Sequence, residues 1–210
     1  MSKMTPTTTT GAETMPPFST PAGRPDAPRI PPARNVRNVW VRLFAWMFRR
    51  ELGKVMTPVW VIYARMPRLL GPQMLMVRLA QKGLSLDPTL VDLVQIRVSV
   101  ANGCTFCTDL HRAVALRSGR DAGKVAAVDS PHRLADQDGT LSDAERVALT
   151  FADEIAGTGR PTDATFAALR ATFGDRAIVE LVWLCSFTVY LNRMATALGI
   201  GSDGFCQLRA

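Results

Sequence analysis

Residues 91–116 read VDLVQIRVSVANGCTFCTDLHRAVAL. A capping aspartate and a proline, Asp87-Pro88, come just before this run and favour the start of a helix. Gly103 favours the end of that helix, and a second helix is predicted from the next cysteine to Gly119. The run therefore predicts two consecutive core helices with a cysteine motif where they join.

The rest of the chain from position 35 also favours helices over strands. Apolar residues recur at three- and four-residue steps between Asn35 and Met47, and Ser142 begins a capping box with the sequence SDAE. Segments rich in β-branched residues, such as QIRVSV, lie inside runs too long for strands. The other predicted helices span 57–66 with Thr57 as cap, about 72–82, 121–128, 142–156, 163–172 and 175–198. We therefore predict one all-α domain over residues 35–210.

Residues 1–34 have a different composition. Threonine and proline dominate, and apolar residues follow neither helical nor strand spacing. Such a segment buries too little surface to offset the entropy lost on ordering. We predict a disordered leader.

Charge and hydropathy restrict the class of protein. The net charge is +7, but residues 1–54 contain nine basic and three acidic residues, so the body is almost neutral. This distribution argues against a nucleic-acid-binding face. Because no apolar run reaches the length of a membrane span and no signal pattern precedes the body, we predict a cytoplasmic protein. Four cysteines are too few for a disulfide scaffold, so a close pair is first read as catalytic or metal-binding.

One cluster contains the residues suited to chemistry. Cys104, Cys107 and His111 are spaced to lie along one face of a helix, and Asp92 precedes them on the helix before. The positive end of a helix dipole lowers a thiol pKa, and His111 is placed to take a proton from Cys107. We expect Cys107 to titrate below its ordinary pKa, helped by a protonated His111. The Cys-x-x-Cys spacing also lets a disulfide open and close.

Two other readings of the pair stay open. Cys104, Cys107 and His111 with Asp92 as fourth ligand would suit zinc, although such half-sites usually occur in pairs. The two cysteines could also be buried core residues without a role. A c-type haem attachment is excluded because Thr108, not histidine, follows the second cysteine.

The run 91–116 resembles the core motif of the carboxymuconolactone decarboxylase-like superfamily, in its AhpD-like alkylhydroperoxidase branch. That motif has an acidic residue twelve positions before the first cysteine and a histidine four after the second, which fall on Asp92 and His111. The stretch IVELVWLCSFTVYLNRMATALGI is similar to the family's final helix, and the resemblance covers about residues 55–200. Two departures are the aspartate in place of the usual glutamate and Phe106 where some peroxidases have histidine.

The resemblance implies an AhpD-like helical bundle and a thiol-dependent hydroperoxide reductase. Cys107 would attack the hydroperoxide, Cys104 would resolve the sulfenic acid as a disulfide, and an external thiol or lipoyl-type reductant would restore both. His111 would move protons, with Asp92 orienting it directly or through water. No metal or organic cofactor is implied, and trimers or hexamers are expected. The alternatives are a decarboxylase-like small-molecule enzyme and a thiol sensor that does not turn over.

Overall fold

The structure is a computed structural model, and it describes residues 27–129 and 139–208. These residues contain eight α-helices, α1 Val39–Leu52, α2 Pro67–Lys82, α3 Pro88–Ala101, α4 Thr105–Arg117, α5 Ala122–Ala127, α6 Asp143–Gly157, α7 Asp163–Thr172 and α8 Asp175–Ala197. A π-helical turn, Val59–Tyr63, precedes α2, and a 3₁₀ turn, Phe205–Leu208, follows α8. The described ranges contain no strand. The all-α prediction is confirmed.

The main apolar core is built around α3. This helix contacts α4, α6 and α8, so apolar residues on all its sides are buried. Leu93 and Ile96 of α3, Phe151 of α6, and Leu181 and Leu184 of α8 are fully inaccessible. Burial of each such side chain contributes about 1.5–3 kcal/mol before the entropy of ordering is subtracted. A second apolar cluster joins α1, the π-helical turn and α4, and it contains both motif cysteines.

The predicted boundaries of α3 and α6 are confirmed in atomic detail. The Asp87 carboxylate accepts hydrogen bonds from the backbone N–H groups of Thr89 and Leu90, at 2.8 and 3.3 Å. The capping box of α6 is present between Ser142 and Glu145. Gly103 has a φ of 63°, a left-handed conformation that favours glycine and turns the chain from α3 into α4.

Two helix starts differ from the prediction. The second helix begins at Pro67, not at 72, because a proline in the first position loses no helical hydrogen bond; Pro72 lies inside it. Thr57 does not cap the next turn with its own side chain. Its backbone N–H and hydroxyl both donate to the carboxylate of Asp203, at 2.7 and 2.6 Å. A residue distant in sequence thus supplies the cap.

The segment before α1 lies against the body where it is described. The backbone N–H of Arg29 donates to the carbonyl of Leu198 at 2.9 Å, and that of Ala33 donates to the carbonyl of Trp60 at 3.1 Å. Residues 1–26 lie outside the described residues, and the disorder predicted for them stays a prediction.

Two helices have unusual apolar surfaces. Among the described residues, α8 is long and apolar enough to cross a membrane by length and composition alone, yet its Leu181 and Leu184 belong to the core. In α1, Phe44 packs inward while Trp40 and Trp46 are 69% and 58% exposed. The inward face of α1 therefore packs on the core, and the trimer or hexamer that the resemblance implies stays a prediction.

Candidate active site

The cysteine pair lies at the start of α4, where the sequence placed it. Cys104 is the N-cap residue, and its sulfur accepts a hydrogen bond from the backbone N–H of Cys107 at 3.3 Å. The two Cα atoms are 5.3 Å apart, and the sulfurs lie at disulfide distance. Both side chains are buried, with 2% and 3% exposed. The helix N-terminus therefore stabilises a thiolate on Cys104 directly.

His111 lies two turns along the same helix, next to the same cavity as Cys107. No hydrogen bond joins its ring to Cys107 or to any other residue in the part of the chain that the structure describes. Burial lowers the pKa of His111 to about 4, so the imidazole is neutral at pH 7. This pKa belongs to the pair at disulfide distance, where no thiolate favours the charged ring. The expectation that a protonated His111 stabilises a free Cys107 thiolate stays a prediction. A neutral ring is free to accept a proton.

Asp92 is held by an ion pair on α3. Its carboxylate accepts a hydrogen bond from Nε of Arg120 at 2.7 Å. Burial raises the pKa of Asp92, and the Arg120 contact acts in the opposite direction. Within residues 27–129 and 139–208, no hydrogen bond connects Asp92 with His111. The structure thus brings the two cysteines and His111 together and places Asp92 in a separate contact.

A cavity of about 490 Å³ opens beside the cysteine pair. Its walls come from α1, the π-helical turn, α2, α3, α4 and α8. Its surface is mainly apolar, with contributions from Met56, Met74, Phe106, Leu110 and Met194. Cys107 lines this cavity, whereas Cys104 does not belong to its lining. The volume is typical of sites that enclose a small organic molecule. A ligand in the cavity would therefore meet the sulfur of Cys107.

Several polar residues of the cavity were missed by the sequence analysis. Gln73 of α2 and Gln95 of α3 are 3% and 6% exposed, and Arg117 ends α4. Tyr63 and Tyr190 also line the cavity; burial and the neighbouring Tyr190 raise the pKa of Tyr63 well above its ordinary range. These residues come from five different elements. No spacing in the sequence marks them, because only tertiary packing brings them together.

Asp109, which lies inside the motif itself, was also missed by the sequence analysis. Its carboxylate accepts hydrogen bonds from the backbone N–H groups of Phe205 and Cys206, at 2.8 and 2.9 Å, and from the hydroxyl of Ser202 at 2.9 Å. Burial alone would raise the pKa of Asp109, but these hydrogen bonds hold it below its ordinary value. Asp109 therefore fixes α4 to the turn after α8. Its position between Cys107 and His111 was the available signal.

The other cysteines differ from the pair. Cys185 is completely inaccessible, and burial raises its thiol pKa to about 12, so this cysteine is a core residue with an unreactive thiol. Cys206 is exposed, and its sulfur lies 3.3 Å from the carbonyl oxygen of Asp109. Of the residues similar to the family's final helix, Asn192 is buried and joins α8 to α3 by hydrogen bonds to Ser99 and Val98.

The comparisons with known proteins match the part of the chain that contains the motif. The model of the Carboxymuconolactone decarboxylase family matches residues 73–154, which include Asp92, both cysteines of the motif and His111. The uncharacterized protein YnjA of Escherichia coli is 32% identical over 184 residues, covering 85% of this chain and 96% of its own length.

Two solved structures share the fold. An uncharacterized peroxidase-related protein with an alkylhydroperoxidase AhpD core, from Ralstonia eutropha, is 20% identical, with a TM-score of 0.69 over 85% of this chain and 94% of its own. The debrominase Bmp8 is 18% identical, with a TM-score of 0.72 over 84% of this chain and 93% of its own. The family model and the E. coli relative show that this chain belongs to the carboxymuconolactone decarboxylase family, and the two solved structures show that it has the AhpD-like helical fold.

Proposed function

We propose that the protein is a thiol-dependent hydroperoxide reductase in which Cys107 and Cys104 cycle between dithiol and disulfide. The observation that supports this best is that Cys107 lines a ligand-sized cavity while its sulfur lies at disulfide distance from that of Cys104. The cysteine that meets a ligand thus has its resolving partner at hand. Membership in a family with AhpD-like peroxidase-related members agrees with this chemistry.

The cycle balances with sulfur as the only electron donor in the protein. The Cys107 thiolate attacks the terminal oxygen of the hydroperoxide, the O–O bond breaks, and the alkoxide leaves as an alcohol after taking a proton. Cys107 is then a sulfenic acid. The Cys104 sulfur attacks it, the disulfide forms and water leaves. An external dithiol donates two electrons and two protons to restore both thiols.

Two features of the site suit these roles. Neutral His111 accepts the proton of the Cys107 thiol and returns it to the alkoxide, which a permanently charged imidazole cannot do. The hydrogen bond from the helix N-terminus favours the thiolate of Cys104. A stabilised Cys104 thiolate resolves the sulfenic acid readily and is also a good leaving group when the disulfide is reduced.

The burial of both cysteines limits the size of the reductant that can reach them. Only 2% and 3% of the side chains of Cys104 and Cys107 are exposed, so a bulky thiol protein reaches them poorly. A slender dithiol, such as a lipoyl group, would reach Cys107 through the cavity that this residue lines. We therefore propose a lipoyl-type reductant.

The test is consumption of cumene hydroperoxide with dihydrolipoamide as reductant, together with thiol titration and peptide mapping. We expect many turnovers, loss of two titratable thiols with peroxide alone, and one disulfide between Cys104 and Cys107. A sensor would react once per chain and stop. A disulfide from either residue to Cys185 or Cys206 would contradict the cycle.

A brominated substrate belongs in the same assay. The debrominase Bmp8, which shares the fold, has been solved with 2,3,4-tribromopyrrole bound to a variant in which alanine replaces one cysteine. We expect no bromide release from this compound under conditions where cumene hydroperoxide is consumed. Release of bromide without peroxide consumption would replace the proposed reaction with a reductive dehalogenation.

A further inference from the structure

The cavity contains hydrogen-bonding capacity that the described residues do not use. Four buried side-chain nitrogen or oxygen atoms of the described residues lack a hydrogen-bond partner. Two of them belong to Arg112 and Asp129, which form an ion pair with each other. The other two, Nε2 of Gln73 and Nη1 of Arg117, belong to residues that line the cavity. Buried donors without partners are costly, and more so when charged.

Of these two residues, Arg117 has the larger unsatisfied hydrogen-bonding capacity, and it is charged. It is the last residue of α4, and its Nη2 lies 3.5 Å from the carbonyl oxygen of Leu52, at the outer limit of a hydrogen bond. No carboxylate within residues 27–129 and 139–208 pairs with it. A guanidinium presents a planar fork of N–H donors that matches a carboxylate, so this arginine lacks the partner that its chemistry favours.

The charges around the cavity favour an anion. The charged side chains of the lining are Arg78, Arg117 and Glu51, and the remaining lining residues are apolar or uncharged. His111 adds no charge at neutral pH. The lining therefore combines a cationic excess with an apolar body. This combination suits a molecule with an apolar chain and one negative group.

The spacing of Cys107 and Arg117 along α4 sets a minimum length for a ligand that contacts both residues. Arg117 follows Cys107 by ten residues, so their Cα atoms are about 15 Å apart along the helix axis. The arginine side chain leans toward the helix N-terminus and shortens this span, so a molecule that contacts both groups must carry its anionic group several carbon–carbon bonds from its reactive group. Short acids with adjacent functional groups do not meet this requirement.

We propose that the cavity binds long-chain carboxylic acids, with the carboxylate on Arg117, a further N–H donor from Gln73 and the chain against the apolar walls. Binding of such an acid follows from the cavity alone. The consequence for substrate choice, that hydroperoxides of long-chain acids are preferred over their neutral esters, rests on the proposed peroxidase function.

The first experiment measures binding by calorimetry, independently of any reaction. Dodecanoate, kept below its micelle concentration, is compared with dodecanol on the full chain. We expect saturable binding of dodecanoate at one site and binding of dodecanol at least about tenfold weaker. Arg117→Gln should weaken dodecanoate binding about tenfold or more, the scale of a lost charge-assisted contact.

The control variants isolate the contact. Arg170→Gln removes an exposed arginine from the last turn of α7, as Arg117 lies in the last turn of α4, and should leave dodecanoate binding unchanged. Arg117→Lys keeps the charge without the planar fork and should have an intermediate affinity. Gln73→Met removes the amide at similar volume and should weaken binding a few-fold. Arg117→Lys and Gln73→Met also test the contact if Arg117→Gln does not fold.

The second experiment measures substrate preference with linoleic acid hydroperoxide and its methyl ester. We expect kcat/KM to favour the acid, and Arg117→Gln to reduce this preference at least about tenfold, mainly through KM. Equal affinity of the parent protein for dodecanoate and dodecanol, or an acid preference untouched in Arg117→Gln, would overturn the inference while peroxide turnover stands. Tight Arg117-dependent binding of dodecanoate without any turnover would leave the inference standing and reject the peroxidase.

Discussion

The two sides of α4 treat their polar residues in opposite ways. On one side the carboxylate of Asp109 accepts three hydrogen bonds from residues 202–206. On the cavity side, His111 has no hydrogen bond within the described residues, and a nitrogen of Arg117 is buried without a partner. A polar group that the protein satisfies itself holds the structure together, whereas one left unsatisfied beside a cavity is available for a ligand. Within the thirteen residues of α4, one side holds the structure together through Asp109 and is called the framework side. The other, the cavity side, carries the residues available to a ligand.

The largest expected effect is on the cavity side. Cys107→Ser removes the sulfur that meets a ligand, and peroxide consumption should fall by at least about 10³-fold, as for other lost nucleophiles. Cys185→Ser is the matched control, because its buried thiol should not react. Peroxide consumption by both variants and the parent is measured with the same reductant. If Cys185→Ser lost as much peroxide consumption as Cys107→Ser, the loss would not be specific to the cysteine that lines the cavity.

The second-largest effect is the loss of stability at acidic pH that His111, also on the cavity side, should cause. His111 has a pKa of about 4 in the folded protein and about 6.5 when unfolded, so the unfolded chain binds the extra proton between these values. Stability should therefore fall as the pH drops from about 6.5 towards 4, by up to about 3 kcal/mol. Urea unfolding at a series of pH values tests this. The variant His111→Gln should lose that part of the pH dependence; an unchanged profile would mean that His111 titrates normally.

The third effect is on the framework side. Asp109→Asn places an amide N–H₂ against backbone donors, and the free energy of unfolding should decrease by about 2 kcal/mol. Because the folded pKa of Asp109 is lowered, its contribution is present at neutral pH and is lost as pH falls through that folded pKa. The exposed residue Asp163 is the control, and Asp163→Asn should cost about 0.5 kcal/mol or less. If both variants have equal stability, Asp109 is not a framework residue.

The smallest effect is expected at Cys206, which contacts the framework side of α4. Cys206 lies beside Asp109, but its contact to the carbonyl oxygen there is a weak one. Cys206→Ala should change stability by at most about 0.5 kcal/mol and leave peroxide turnover unchanged. Thermal unfolding and the peroxide assay measure both. A strong loss of turnover would give Cys206 a part in the thiol cycle.

Local sequence patterns predicted what local interactions determine. The caps at Asp87 and Ser142 and the turn at Gly103 each act within a few residues, and these helix boundaries were foreseen. The spacing of Cys104 and Cys107 placed the pair correctly because both residues belong to one helix start.

Features that depend on distant partners were not predicted. The cap on Thr57 comes from Asp203, 146 residues away, and Asp109 is satisfied by residues 93 to 97 positions later. The lowered pKa of His111 results from burial by other elements, so the motif alone suggested a charged ring. The cavity is likewise a product of packing: a donor such as Gln73 becomes significant only when its neighbours leave it without a partner.

The contact between Asp109 and the turn after α8 has a consequence for how this family diverges. A change at Asp109 removes the acceptor of the Ser202 hydroxyl, and a change at Ser202 removes the one side-chain oxygen donor among the three hydrogen bonds to Asp109. Relatives that keep an acid at the position of Asp109 should therefore keep a donor at that of Ser202 more often than relatives without the acid. The two positions should therefore vary together, although 93 residues separate them.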